Sequence, residues 1–196
     1  MERTIQDVID IIIGAVPGAP REGSVDTFKA GDPSQKVTGI VSTFLATCEV
    51  IERAAALGAN LIITHEPTFY NHLDEEEWLS DDPVYQFKRD LIERNGIAIW
   101  RFHDYWHLHK PDGIVTGLLK ALGWQGYAVP EKDYICDIPP MPLGELAAFF
   151  KEKLAIPTVR VVGDPATPCG RLGLAVGAAG GRLQIGLFRQ EKLDAL

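Results

Sequence analysis

Gly58-Ala59-Asn60-Leu61-Ile62-Ile63-Thr64-His65-Glu66-Pro67 decides the fold: a glycine closes a helix, four apolar or β-branched residues follow, and polar side chains come directly after them. Leu61 to Thr64 is too short for a helix and apolar on both sides of the chain, which predicts a strand buried on both faces. Upstream, Val37 to Phe44 has strand length and is rich in β-branched residues, and Thr47 caps the helix that ends at Gly58. This is a βαβ unit. The pattern repeats: Asp82-Pro83 opens a helix with the stripe Val84, Phe87, Leu91 and Ile92, Asn95-Gly96 closes it, and Ile97 to Phe102 forms the next strand. A helix from Gly113 to Leu122, stopped by Gly123, completes this unit. At the other end Thr4 caps a helix with Asp7 three residues on, and Ile5, Val8, Ile9 and Ile12 make its apolar stripe. The predicted class is α/β, a mostly parallel sheet with helices on both faces.

Tyr127 to Pro142 breaks the alternation with four prolines, so the expected domains are 1–127 and 128–196, the latter the start of a second, smaller α/β lobe. That lobe is expected to hold a helix (Leu143, Leu146, Ala147, Phe150, Leu154), a strand over Val159 to Val162, a turn at Gly163-Asp164-Pro165 and a strand over Leu172 to Val176. Gln190 to Leu196 reads as a helix leading to an absent strand, and the lobe as incomplete.

With 196 residues, 46% of them hydrophobic, the chain can bury one good core or two small ones. Its net charge of −8, without any Lys/Arg run, disfavours nucleic acids and anionic membranes as partners and favours a small-molecule substrate. Cys48, Cys136 and Cys169 are odd in number and form no C-x-x-C, which supports neither a disulfide framework nor a thiolate zinc site and suits structural thiols in a reducing cytoplasm. Gln6, Asp7 and Asp10 interrupt the apolar stretch from Ile5 to Val16, so it does not read as an export signal, and nothing else is long enough to cross a bilayer.

All five histidines fall between positions 65 and 109. His65-Glu66 and His103-Asp104-Tyr105-Trp106-His107 follow consecutive strands, and the carboxyl ends of parallel strands open on one crevice. Imidazole and carboxylate donors suit zinc, iron or manganese. His65, Glu66, His103 and His107 are the candidate ligands: two histidines four apart share a face in a helix or a strand, and Pro67 keeps Glu66 out of helical geometry. The bland reading of His65-Glu66-Pro67 is a capped turn with His65 bonded to a backbone carbonyl. Asp104 is the candidate catalytic group, as general base, as a bridge between ions, or as a group orienting an imidazole. Tyr105 and Trp106 form an apolar wall, stack on a planar substrate, or simply pack. His72, in the polar run Asn71 to Glu77, reads as part of a solvated loop, and His109 as exposed. Arg101 either pairs with a phosphate or carboxylate or neutralises Glu66 and Asp104. Gly177-Ala178-Ala179-Gly180-Gly181 lacks the phosphate-binding fingerprints and reads as a strand-to-helix turn. There is no G-x-S-x-G, and no cysteine neighbours the histidine clusters.

On these residues the chain resembles the NIF-three-like family, dinuclear-metal-centre hexameric proteins often labelled GTP cyclohydrolase type-two homologues. The resemblance runs through Asp26 to Gly31, Val37 to Phe44, Gly58 to Pro67 and Ile97 to His107, and on through Gly117 to Gly123 and Val159 to Asp164. The family pattern has two adjacent histidines where His65 and Glu66 stand, and its His-Thr-Asn-Leu-Asp segment falls on His103 to His107, so its bridging aspartate becomes His107. The family's closing His-x-x-x-Glu ligands have no counterpart in the chain. The resemblance implies a two-lobed α/β subunit, a cytoplasmic location, a toroidal homohexamer and a divalent site with one or two ions per subunit. The expected function is metal-dependent hydrolysis of a small nucleotide-like substrate, with a non-catalytic metal-binding or regulatory assembly protein as the alternative. A pure interaction module would bind no metal.

Overall fold

A computed structural model describes residues 2–196. The protein is mixed α/β, and its chain divides into two compact units, Met1–His109 and Lys110–Leu196.

In the first unit, α1 (Ile5–Gly14) begins on a capping box: Asp7 N–H donates to Thr4 Oγ1 at 3.1 Å, and Thr4 N–H to the Asp7 carboxylate at 2.8 Å. The sheet comprises β1 (Phe28–Ala30), β2 (Ile40–Thr43), β3 (Leu61–Thr64) and β4 (Ala98–Arg101), in the order β1-β4-β3-β2. β2, β3 and β4 are parallel, while the short β1 runs antiparallel to β4 along an edge that the sequence reading did not anticipate. Its three residues are all half-buried and carry no alternating pattern that would mark a strand.

The helices α2 (Cys48–Ala56), capped by Thr47, and α3 (Pro83–Arg94), capped by Asp82, cover one face of this sheet. Ile51, Ala54, Leu91 and Ile92 pack there against Ile62 and Ile99. The opposite face presents Leu61, Ala98 and Trp100 to Ile5 and Ile9 of α1. Alternate residues of β3 and β4 thus supply two cores, which is why both strands read as continuous apolar runs. Full burial of each leucine or isoleucine side chain among these contributes about 1.5–3 kcal/mol. The parallel register pairs Thr43 with Thr64 and Thr64 with Arg101, so the three strands end level and release their following residues at one edge.

The second unit holds α4 (Gly113–Leu122), α5 (Leu143–Lys153) and α6 (Gly181–Gln190) with an antiparallel sheet of β5 (Ala128–Val129), β6 (Lys132–Pro142) and β7 (Pro168–Gly173) in that order. Leu119 and Leu122 of α4 share its core with Trp124, Cys136, Ile138, Leu146, Cys169 and Leu172, so α4 belongs here and does not complete the first unit. The three cysteines are free thiols.

Three local expectations are corrected. Tyr127 to Pro142 is chiefly strand: β6 accommodates Pro139 and Pro140 where the register with β7 shifts between Asp137 and Met141, so ladder bonds are not required there, and Pro142 ends the strand opposite Pro168. Val159 to Val162 joins no sheet. The edge of β7 is taken instead by the last residues, through Asp194 N–H to Arg171 O at 2.8 Å and Gly173 N–H to Ala195 O at 3.0 Å. Gln190 to Leu196 is therefore not the body of a helix; the helix is α6, which begins at the end of the glycine-rich turn.

Candidate metal centre

His65 is the first residue past β3, and its backbone N–H still donates to Thr43 O at 3.2 Å, extending the β2 pairing by one step. Phe102 does the same past β4, donating to Thr64 O at 2.8 Å. These ladder continuations carry His65 and His103 to adjacent positions at the sheet edge, where their ring centroids lie 4.5 Å apart. A turn then brings His107 N–H onto His103 O at 3.2 Å and its ring to 4.9 Å from that of His103 and 5.4 Å from that of His65. One ligand atom from each of His65, His103 and His107 lies within 4.8 Å of the others, and all three residues are half-buried.

Hydrogen bonds at the back of the rings fix what two of these imidazoles offer. His65 Nδ1 lies 3.2 Å from Phe102 O; a carbonyl only accepts, so Nδ1 carries the proton and Nε2 keeps its lone pair. His103 Nδ1 lies 3.0 Å from Asp104 Oδ1, which directs its proton to the carboxylate and leaves Nε2 as donor to a metal. Burial, reinforced by the neighbouring His103, holds the His65 pKa below the usual histidine value, against the opposing effects of Phe102 O and Glu66. A neutral imidazole is the form a metal requires. The donor set therefore fits a borderline divalent ion such as zinc, iron or manganese.

Asp104 has both oxygens engaged, Oδ1 on His103 and Oδ2 accepting from Ser24 Oγ and Val25 N–H at 3.2 Å each. Burial raises its pKa, but the bonds from His103, Val25 and Ser24 outweigh this and hold it below the ordinary value. Glu66 is half-buried beside His65 and is not a member of the three-histidine group. The remaining candidates, His65, His103 and His107, come together.

A second group, His72, His103 and Asp104, also has ligand atoms within 4.8 Å. His72 is thus no detached surface residue, although it is exposed. His109 is half-buried rather than exposed, with Nδ1 2.9 Å from Trp106 O and its ring against the Trp106 indole. Arg101 neither awaits an anion nor pairs with Glu66 or Asp104. It is 0% exposed, and its guanidinium donates from Nε to His65 O at 3.1 Å and from Nη1 to His72 O. Its role is to pin both ends of the loop from His65 to His72 to the end of β4.

Two buried carboxylates complete the support. Asp26, 6% exposed, accepts from the backbone N–H groups of His103, Asp104 and Tyr105 at 2.8, 2.9 and 2.7 Å. Asp74 accepts from those of Thr68, Phe69 and Tyr70 at 2.9, 2.8 and 3.2 Å and lies 3.9 Å from Lys29 Nζ. The acidic run Asp74 to Glu77 disguised the second of these, since only burial separates Asp74 from its solvated neighbours.

A model of the family Duf34/NIF3 (NGG1p interacting factor 3) matches residues 7–196. The chain belongs to this family. Among curated relatives, a GTP cyclohydrolase 1 type 2 homolog of Clostridium perfringens is 25% identical over 171 residues, covering 82% of this chain and 64% of its own length. One of Mycoplasmopsis pulmonis is 28% identical over 128 residues, covering 65% of this chain and 45% of its own. The chain thus spans less than two thirds of these relatives. The fold is shared with a Bacillus cereus protein related to NIF3 (TM-score 0.77, 16% identity, 98% of this chain and 81% of that one). It is also shared with a hypothetical protein of Staphylococcus aureus (TM-score 0.74, 20% identity, 97% and 77%). Among the described residues of this DUF34/NIF3 chain, no helix is long and apolar enough to cross a membrane.

Proposed function

We propose that this DUF34/NIF3 chain binds a divalent metal ion through His65, His103 and His107 and acts as a metal-dependent hydrolase on a small nucleotide-like substrate. The observation that carries the reading is the convergence of three imidazoles, two of them with Nδ1 bonded rearward and Nε2 left as a donor. When bound, the ion would polarise the scissile bond and acidify water. Asp104 orients His103 and offsets positive charge rather than serving as the base, since both its oxygens are engaged. Glu66 supplies a further negative charge beside His65 and is the first candidate for a fourth position. Phe44, 64% exposed and stacked on His65 with centroids 5.6 Å apart and planes at 22°, offers a flat apolar surface suited to a planar base. The names of the curated relatives agree with that substrate class. A cytoplasmic homohexamer, with the site facing its interior, belongs to the same proposal.

The test is a panel of nucleotides and related heterocycles offered to zinc-, iron- and manganese-loaded protein. Turnover that is lost on chelation and in His107→Ala supports a hydrolase. Stoichiometric metal binding without turnover of any substrate would favour the non-catalytic metal-binding protein.

A further inference from the structure

The two three-residue groups share His103, yet their histidines are not chemically equivalent. His72 Nδ1 lies 3.3 Å from Arg101 Nη2. A guanidinium only donates, so His72 Nδ1 is the acceptor, and in the neutral ring the proton must sit on Nε2. Arg101 cannot swing away to release it, because the residue is fully buried and its other nitrogens bond His65 O and His72 O. His65 and His103 have the opposite arrangement, with their protons directed rearward to Phe102 O and Asp104. The His72 ring nevertheless meets the His103 ring edge-on, with centroids 5.1 Å apart, and is solvent-accessible.

We infer that His72 is not a metal ligand but a hydrogen-bond donor beside the three-histidine site, its Nε2–H serving an acceptor oxygen of the molecule bound there. This rests on the metal-site reading above and deepens it: the favoured substrate carries an oxygen-rich acceptor such as a phosphate or carboxylate at the side of the site facing His103. Arg101 is the positioning residue that sets the tautomer while holding the loop from His65 to His72 in place.

Imidazole nitrogen spectra of isotopically labelled whole protein at about pH 8, where ordinary histidines are neutral, read the tautomer directly. His72 is expected to show an unprotonated Nδ1 and a protonated Nε2, unchanged by zinc, while the His65, His103 and His107 signals shift. In a second arm, inorganic phosphate is titrated into zinc-loaded protein. His72→Ala is expected to weaken phosphate about fivefold, the worth of one net hydrogen bond, with zinc per chain unchanged and His72→Gln recovering part of the loss. A protonated Nδ1 on His72, or loss of the Nε2 proton when zinc is added, overturns the inference, as does phosphate binding indifferent to His72→Ala. Zinc that binds nowhere would sink the metal reading and the donor's place beside an ion, while the metal-free spectrum would still decide whether Arg101 sets the tautomer.

Discussion

At the level of single residues, the candidate site rests on carboxylates placed behind the imidazoles and their loop. Asp104 holds His103 in the tautomer that frees Nε2, and such supporting carboxylates typically contribute 10–100-fold to metal affinity. Asp104→Ala should therefore weaken zinc binding by about that factor without unfolding the protein; unchanged affinity in a competition titration would show that His103 is oriented by something else. Asp26 works one step further back. Its carboxylate collects three consecutive N–H groups of the loop that begins with His103, a demand visible only once the loop's backbone is placed. The histidines themselves were legible because their side chains have few roles after a buried strand. His72 was not, because the environment that matters to it, the Arg101 guanidinium, comes from a strand far away in sequence.

At the level of elements, caps and periodicity carried most of the first unit. Thr4, Thr47 and Asp82 each accept the backbone N–H that a helix start leaves unpaired, and β3 and β4 lie inside the apolar runs that mark them. Elements defined by long-range pairing escaped: β1 exists only against β4, and β6 hid behind prolines that its bulged pairing tolerates. Gly31, adjacent to β1, shows how tight that edge is. Its φ is +82°, and a Cβ there would overlap the Ile97 carbonyl oxygen and the Ala98 Cα. Gly31→Ala should destabilise the first unit by roughly 2–4 kcal/mol in urea unfolding; a loss below about 0.5 kcal/mol would mean that the edge moves freely.

In the second unit Asp194 accepts from Arg171 N–H at 2.8 Å and Gly170 N–H at 2.9 Å, and these bonds, Arg171's first, hold its pKa below the ordinary value of 3.8. A lowered folded-state pKa contributes stability that is complete above the unfolded value and is lost as pH falls through the folded one. Wild type should therefore be more stable than Asp194→Ala at pH 6, with the gap closing as pH falls below about 3.8. A difference independent of pH would remove the carboxylate from the explanation.

For the whole molecule, the first unit supplies every residue of the candidate centre, from Ser24 to His107. An ion that binds the folded form and not the unfolded chain stabilises it by mass action, about 2.7 kcal/mol at a hundredfold excess over Kd. Zinc should accordingly slow amide hydrogen exchange most in the loops around His65 to Asp74 and His103 to Tyr105, whose N–H groups are held by buried carboxylates. Protection spread evenly over both units, or confined to the second, would place the ion elsewhere.

The most direct test of the metal assignment is elemental analysis of protein purified without a histidine tag or chelator, beside His103→Ala. The arrangement of His65, His103 and His107 predicts about one divalent ion per chain in the wild type and less than about a tenth in the variant. A metal-free wild type after attempted loading with zinc, iron and manganese, or an undiminished content in His103→Ala, would contradict it.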